Sequence, residues 1–336
     1  MKKTCVVVTG GCGYIGSHVV CQLSEAGYEV VVIDNLSTGF ADSLLYGEKL
    51  YIGNVGDAAL LAKVLTQHAP KAVLHFAASI AVEESVYHPL AYYQNNTATF
   101  LTLLQQIELH GISRCIFSST AAVYGNSDAP TLRETDSLSP ENPYGRSKWM
   151  DELFLKDLGA AYPLQYVILR YFNVAGADRK LRLGQRTQKA THLIKVASEV
   201  ATGKRKSLVV YGDDYPTRDG TCVRDYIHVE DLAAAHLAAL SYLEKGGASE
   251  IFNCGCNRGA SVREVVSAFD EILGRPLPFE MGKRRAGDAA SLIANAEKIT
   301  AQLGWKPQYQ DLSEIVRSAW AWEMKITALA SKDPHT

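Results

Sequence analysis

The chain carries almost no net charge: 34 Lys and Arg stand against 36 Asp and Glu in 336 residues, or −2 overall. That balance excludes a broad basic field for nucleic acid or for an anionic membrane surface. An apolar run long enough to cross a bilayer is also missing. The uncharged span 4–24 imitates the apolar part of a signal peptide behind Lys2 and Lys3. Gly10, Gly11, Gly13, Gly16 and His18 break it, however, and no small-residue cleavage site follows. A second uncharged span, 85–107, holds Pro89, Gln94, Asn95 and Asn96, which hydrocarbon does not tolerate. Cysteine is odd in number, at seven, and the closest pair, Cys254 and Cys256, is one residue apart where zinc knuckles have two. No metal site is expected, and the thiols read as reduced and cytoplasmic. There is no internal repeat and no low-complexity tract.

What is present is a globular composition, 47% hydrophobic and 21% charged. Short β-branched runs at 4–9, 29–34, 50–52, 72–76, 114–118 and 165–171 alternate with helical patterns at 14–26, 57–68, 89–110 and 143–159. Continuous apolar strands between helices predict an α/β fold, a doubly wound parallel sheet covered on both faces. The rhythm weakens after Gly176. Residues 178–189 are basic and polar and read as a mobile or substrate-ordered loop. Helices at 190–202, 230–243, 262–273 and 312–329 and strands near 208–211 and 250–253 follow. The division expected is 1–174 for a nucleotide-binding domain and 175–336 for a smaller α/β substrate domain, with a later segment free to return to the first.

Gly10, Gly13 and Gly16 follow the first strand and open the first helix. A pyrophosphate must approach that backbone closely, and the helix start offers free N–H groups and a positive dipole end. Asp34 closes the next strand about twenty residues on, where a carboxylate accepts both ribose hydroxyls and repels a 2′-phosphate, which favours NAD over NADP. Further along, Tyr144 and Lys148 share a helical face. An ammonium beside a phenol, together with an oxidised nicotinamide, is expected to lower the tyrosine pKa toward neutrality, so that the phenolate takes a proton from a sugar hydroxyl. Chance alone gives about one Tyr-x-x-x-Lys pair in such a composition. The order of glycine loop, hydroxyl-rich strand end (Ser118, Ser119, Thr120) and Tyr-x-x-x-Lys is what makes this pair informative.

These motifs, with IDNLSTG (33–39), HFAA (75–78), YYQNNT (92–97), FSSTAAVYG (117–125), PYGRSK (143–148), LRYFNVAGAD (169–178), YGDDYPTRDGTCVRDYIHVEDLA (211–233) and RRAGD (284–288), resemble the extended short-chain dehydrogenases/reductases, within them the UDP-glucose 4-epimerase family. The likeness runs almost end to end. It implies Thr120, Tyr144 and Lys148 as catalytic residues. It implies NAD contacts from Gly10, Gly13, Tyr14, Ile15, Gly16, Asp34, Asn35, Asn54, Val55, Phe76, Ala77, Asn96, Ser118 and Tyr171 as well as Tyr144 and Lys148. Besides Thr120 and Tyr144, the residues implied to hold substrate are Phe172, Asn173, His192, Leu193, Tyr211, Arg224, Arg285, Asp288 and Leu292. Arginine forks suit a diphosphate.

The implied reaction is reversible inversion at C4, between UDP-glucose and UDP-galactose, through a 4-keto sugar with NAD held throughout. It belongs to galactose metabolism, and the family implies a homodimer built on the 89–110 and 143–159 helices. Departures are Asn54 in place of an acid, Ile80 in place of a lysine, and His192 in place of an asparagine. Leu292 stands where the family limits the room beside sugar C2, which bears on UDP-N-acetylglucosamine. UDP-xylose/arabinose is another alternative. A dehydratase would have Asp-Glu after its threonine, where this chain has Ala121 and Ala122. A non-catalytic NAD-binding regulator would commonly have lost the Tyr or the Lys.

Overall fold

A computed structural model describes residues 3–127, 129–188, 190–285 and 288–330. Its strands are β1 (Cys5–Thr9), β2 (Glu29–Asp34), β3 (Lys49–Ile52), β4 (Ala72–His75), β5 (Arg114–Thr120), β6 (Gln165–Tyr171), β7 (Asn173–Ala175), β8 (Leu208–Tyr211), β9 (Val223–His228), β10 (Glu250–Cys254), β11 (Gly259–Ser261), β12 (Phe279–Gly282) and β13 (Ser291–Leu292). Its helices are α1 (Tyr14–Glu25), α2 (Ala58–His68), α3 (Val82–Tyr87), α4 (Pro89–Tyr92), α5 (Thr99–Leu109), α6 (Pro143–Ala161), α7 (Leu193–Ala201), α8 (Val229–Glu244), α9 (Val262–Leu273), α10 (Glu297–Leu303) and α11 (Leu312–Ala330). Among the described residues, no helix is long and apolar enough to cross a membrane.

Seven strands pair in the order β10-β6-β5-β4-β1-β2-β3, every pairing parallel. Alternate strand residues point to opposite faces, and both faces are covered. Val6, Val8 and Val32 pack with α1 and α8 on one side. On the other, Val7, Val31 and Ile33 pack with residues of α2 and α5. The doubly wound α/β architecture expected from the apolar strands is the one observed. A second core joins α7, α9 and α11, beside a small sheet in which β9 pairs β7, β11 and β13. The chain after residue 175 thus builds this second core and also returns α8 and β10 to the large sheet.

One local expectation fails. The helical span 89–110 is not one α-helix. A π-helical turn, Tyr93–Ala98, separates α4 from α5 and turns Asn96 inward to 1% exposure, the kind of insertion that recurs at functional sites. The described part of 178–189 is tied down by specific contacts. Leu183 is buried, Trp322 donates to the Gln185 carbonyl at 3.2 Å, and Arg182 bridges Asp178 and Glu25 at 2.7 and 2.8 Å. Charge in this segment marks ion pairing. Ala286 and Gly287 of the RRAGD stretch, Lys189 and the last six positions of 175–336 lie outside the described residues.

Candidate active site

At the carboxyl ends of β1, β2, β4 and β5 the chain builds a close-approach surface. Gly10 has φ +72°, and a Cβ there would sit 2.6 Å from the Ala77 backbone nitrogen. A Cβ on Gly16 would lie 2.2 Å from the Gly10 carbonyl oxygen, so α1 begins pressed against the turn. Gly13 differs from both. Its Cβ would meet only the Gly10 carbonyl, at 3.3 Å, with nothing else within 4 Å. Gly13 caps α1 without a side-chain hydrogen bond, leaving the first N–H groups of the helix open. Bare backbone donors, a positive helix end and room above Gly13 fit a pyrophosphate.

Asp34 ends β2, 7% exposed. It accepts from Cys12 N at 2.9 Å and Leu36 N at 2.8 Å, which fixes the carboxylate beside the glycine loop with lone pairs to spare for ribose hydroxyls. Asn35 is exposed next to it. Asn54 is exposed and its carbonyl accepts from Gly56 N at 2.7 Å, beside the buried Val55. Ile15 and Phe76 pack on the α1 and α8 side of the large sheet, and Ala77 on the α2 and α5 side. Tyr14 reaches out to the second half of the chain, its hydroxyl donating to the Gly176 carbonyl at 2.6 Å. Asn96 accepts from Ser79 N at 2.8 Å and donates to Ser79 O and Ser147 Oγ, both at 3.0 Å, locking the π-helical turn to α6. Ser118 meets His236 of α8 at 2.8 Å, and Tyr171 is aligned with Thr120 across β5 and β6.

The three residues assigned to chemistry converge. Thr120 closes β5 at 8% exposure, its Oγ1 accepting from Ala122 N at 3.1 Å. Helix α6 starts at Pro143, with Asn142 capping it through Gly145 N at 2.9 Å, and this places Tyr144 in its first turn. Burial pushes the Tyr144 phenol up to about 12, and the adjoining Thr120 hydroxyl works against that rise. The expected fall toward neutrality is therefore not a property of these side chains alone, because desolvation outweighs the hydrogen bond. Lys148 is 2% exposed, with its ammonium 4.5 Å from the centre of the Phe117 ring. Burial lowers its pKa while Asp151 and Glu152 pull it back up.

The residues assigned to substrate form two groups. Asn173, His192 and Leu193 line one cleft with Gln185, Tyr226 and Trp322. His192 sits at the start of α7, its Nδ1 3.2 Å from Gln185 Nε2. Arg224 on β9 donates to the Val223 and Ala289 carbonyls at 2.9 and 2.8 Å and faces Asp288 at 3.7 Å. Its acid is thus Asp288 and not the neighbouring Asp225, which is fully buried and accepts from Cys256 N. Leu292 is aligned with Arg224 and packs in the cluster that contains Phe172 and Ala294. Arg285 lies 3.8 Å from the centre of the Tyr211 ring. Sequence reading missed Arg170, Glu152 and His236, which support the site from beneath. The signal was available for Glu152, four residues after Lys148 on the same face.

The chain belongs to the NAD dependent epimerase/dehydratase family, which matches residues 6–255, and the cofactor this geometry accommodates is NAD. Among its relatives is the UDP-glucose 4-epimerase of Azospirillum brasilense, 52% identical over 96% of this chain and 92% of that protein. The crystal structure of UDP-glucose 4-epimerase from Brucella ovis in complex with NAD superposes with a TM-score of 0.92 at 43% identity, covering 95% of this chain and 98% of that one. The UDP-Glc/GlcNAc 4-epimerase of Campylobacter jejuni does so with a TM-score of 0.85 at 45% identity, covering 96% and 99%.

The glycine geometry separates binding from folding. Gly13→Ala is expected to leave the fold intact while cutting NAD affinity at least ~10-fold, because its methyl enters the phosphate approach. Gly16→Ala is expected to destabilise the protein itself, since something must move from 2.2 Å. NAD released on denaturation, set beside the melting temperature of each variant, checks both.

Proposed function

We propose that the protein interconverts UDP-glucose and UDP-galactose by inverting C4 of the sugar. The observation that carries this reading is Tyr144 in the first turn of α6, buried beside Thr120 at the end of β5, on the carboxyl edge of the sheet where the glycine loop also lies. NAD, when bound, supplies an acceptor and donor for one hydride and, oxidised, a positive charge near the phenol. Tyr144 takes the proton of the sugar 4-hydroxyl and later returns it, with Thr120 as the hydroxyl that orients the reacting oxygen. Lys148, one turn on, is the protein's own cation on that face. Asp34 would hold the adenosine ribose and the start of α1 the pyrophosphate.

Arg224 and Arg285 would grip the substrate diphosphate, with Asp288 and Tyr211 at the nucleoside end and Asn173, His192 and Leu193 along the sugar. Residues 1–174 with α8 and β10 would serve the nucleotide, and the rest of 175–336 the UDP-sugar. One observation weighs against a dehydratase: Ala121 and Ala122 follow Thr120, where a dehydratase would carry its Asp-Glu acid pair.

Surface and thiol chemistry bear on assembly and location. Val86, Tyr87, Leu90, Leu101, Met150 and Leu153 are exposed on α3 to α6, an apolar surface that supports a homodimer through these helices. Cys12, Cys21, Cys115, Cys222, Cys254 and Cys256 are buried as free thiols, which suits a reducing cytoplasm.

Leu292 offers an acetamido group no hydrogen-bond partner, and a buried unpaired amide costs about 1–3 kcal/mol, roughly ten- to a hundred-fold. UDP-galactose is therefore expected to exceed UDP-N-acetylgalactosamine in kcat/KM by about that factor, and Leu292→Ser to narrow the gap; equal wild-type values would contradict this assignment. Tyr144→Phe is expected to lower turnover of UDP-galactose at least ~10²-fold with NAD retained. Activity within a few-fold of wild type would move the base elsewhere.

A further inference from the structure

Helix α6 carries one buried acid that the reaction as described does not use. Asp151 is 1% exposed and lies three residues after Lys148 and seven after Tyr144, on the same helical face. Its neighbour Glu152 is fully engaged, accepting from Arg170 Nε at 2.9 Å, Arg170 Nη2 at 2.6 Å and Ser119 Oγ at 2.5 Å. Neither oxygen of Asp151 completes a hydrogen bond, and the buried hydroxyl of Thr97, which approaches it from the π-helical turn, completes none either. Among the described residues, Lys148 forms no ion pair within 4.0 Å; its ammonium stands over the Phe117 ring. A buried cation that stands only over an aromatic ring and a buried carboxylate whose oxygens complete no hydrogen bond therefore lie one helical turn apart, under the catalytic tyrosine.

The other groups facing this space are engaged or uncharged. From β6, Arg170 is held by Glu152. From β4, His75 is buried and kept neutral, its pKa driven well below the ordinary range by desolvation and by Lys148 itself. From α4, the Tyr92 hydroxyl donates to the Ala81 carbonyl at 2.7 Å and to Glu84 of α3 at 2.9 Å. Tyr171 of β6 is buried, with its phenol pushed up by desolvation. On α5, Glu108 is exposed at the far end, and at the start of β5, Arg114 donates to the Leu243 carbonyl. Asp151 is left as the unengaged negative charge that Lys148 meets.

We infer that Asp151 is a positioning residue for the reaction, its carboxylate being the counter-charge that keeps Lys148 protonated beneath Tyr144. The physical logic is the asymmetry of buried pairs: two desolvated opposite charges hold each other in the ionised form, and removing one leaves the other unsupported. Burial drives the Lys148 pKa down and the Asp151 pKa up, and each group pulls the other back toward its charged form. Without the carboxylate, Lys148 gives up its proton at a lower pH, and with it the cation that supports the phenolate and the hold on the cofactor.

This inference rests on the role given to Lys148 above, and the test separates the two. In Asp151→Asn, the alkaline limb of the kcat profile with UDP-galactose is expected to move about one pH unit toward neutrality, with KM unchanged near pH 7. NAD retained after gel filtration is expected to fall off at correspondingly lower pH. A purely structural role would lower kcat evenly across pH, and that result, or a limb that stays in place or moves to higher pH, overturns the inference. Should the amide variant fail to fold, Asp151→Val carries the same expectation without an unpaired amide. Wild-type protein inactive on UDP-galactose would overturn the substrate reading alone, because NAD retention against pH still decides the role of Asp151.

Discussion

Helix α6 turns its polar stripe inward, and much of the site depends on that orientation. Tyr144, Ser147, Lys148, Asp151 and Glu152 are all buried on one face, at the spacing an amphipathic helix normally gives to apolar residues. Burying such groups is costly unless each is satisfied, and the surrounding elements are built to satisfy most of them. Arg170, embedded in the apolar strand β6, meets Glu152 as a fork. Ser119 adds a third donor. Asn96 of the π-helical turn reaches Ser147, and Thr120 meets Tyr144. These contacts hold the tyrosine and lysine at the sheet edge with little freedom to move, which is what chemistry at a single sugar carbon requires.

A second constraint joins the two halves of the chain across the glycine loop. Tyr14 bonds to Gly176, Arg182 spans Asp178 and Glu25, and Arg186 reaches Asp42 at 2.6 Å while lying over the Phe40 ring. The basic segment whose composition reads as a mobile or substrate-ordered loop lies as a clasp over the glycine-loop region. Such a clasp suits an enzyme whose reaction has no net oxidation and gains nothing from exchanging its cofactor.

The sequence made the large sheet and the glycine loop legible for a simple physical reason. Strands buried on both faces are continuous apolar runs, and close backbone approach admits only glycine at Gly10 and Gly16. The chemistry was legible through order along the chain, since Thr120 ends a strand and Tyr144 with Lys148 opens the next helix. Other features were hidden. The inward face of α6 carries no apolar periodicity, so nothing in the pattern marks Asp151 as buried, whereas Glu152 follows Lys148 by four residues on one face. Arg170 inside an apolar strand has no local partner in sequence. The break at Tyr93–Ala98 is a one-residue insertion in helical spacing, invisible beside good helix formers. The return of β10 to the first sheet depends on pairing with β6 across about eighty residues. Burial, absent from a sequence pattern, raises the tyrosine's pKa in the protein alone, so the fall expected from Lys148 and an oxidised nicotinamide together needs the bound cofactor.

The central claim is that C4 of the sugar loses and regains the same hydrogen inside a closed site, with Tyr144 handling only the hydroxyl proton. Equilibrating UDP-galactose with the protein in D2O and reading the product by proton NMR tests this directly. The account predicts UDP-glucose with protium fully retained at C4. Deuterium at C4 would show that the hydrogen left as a proton and exchanged with solvent, and would contradict the account.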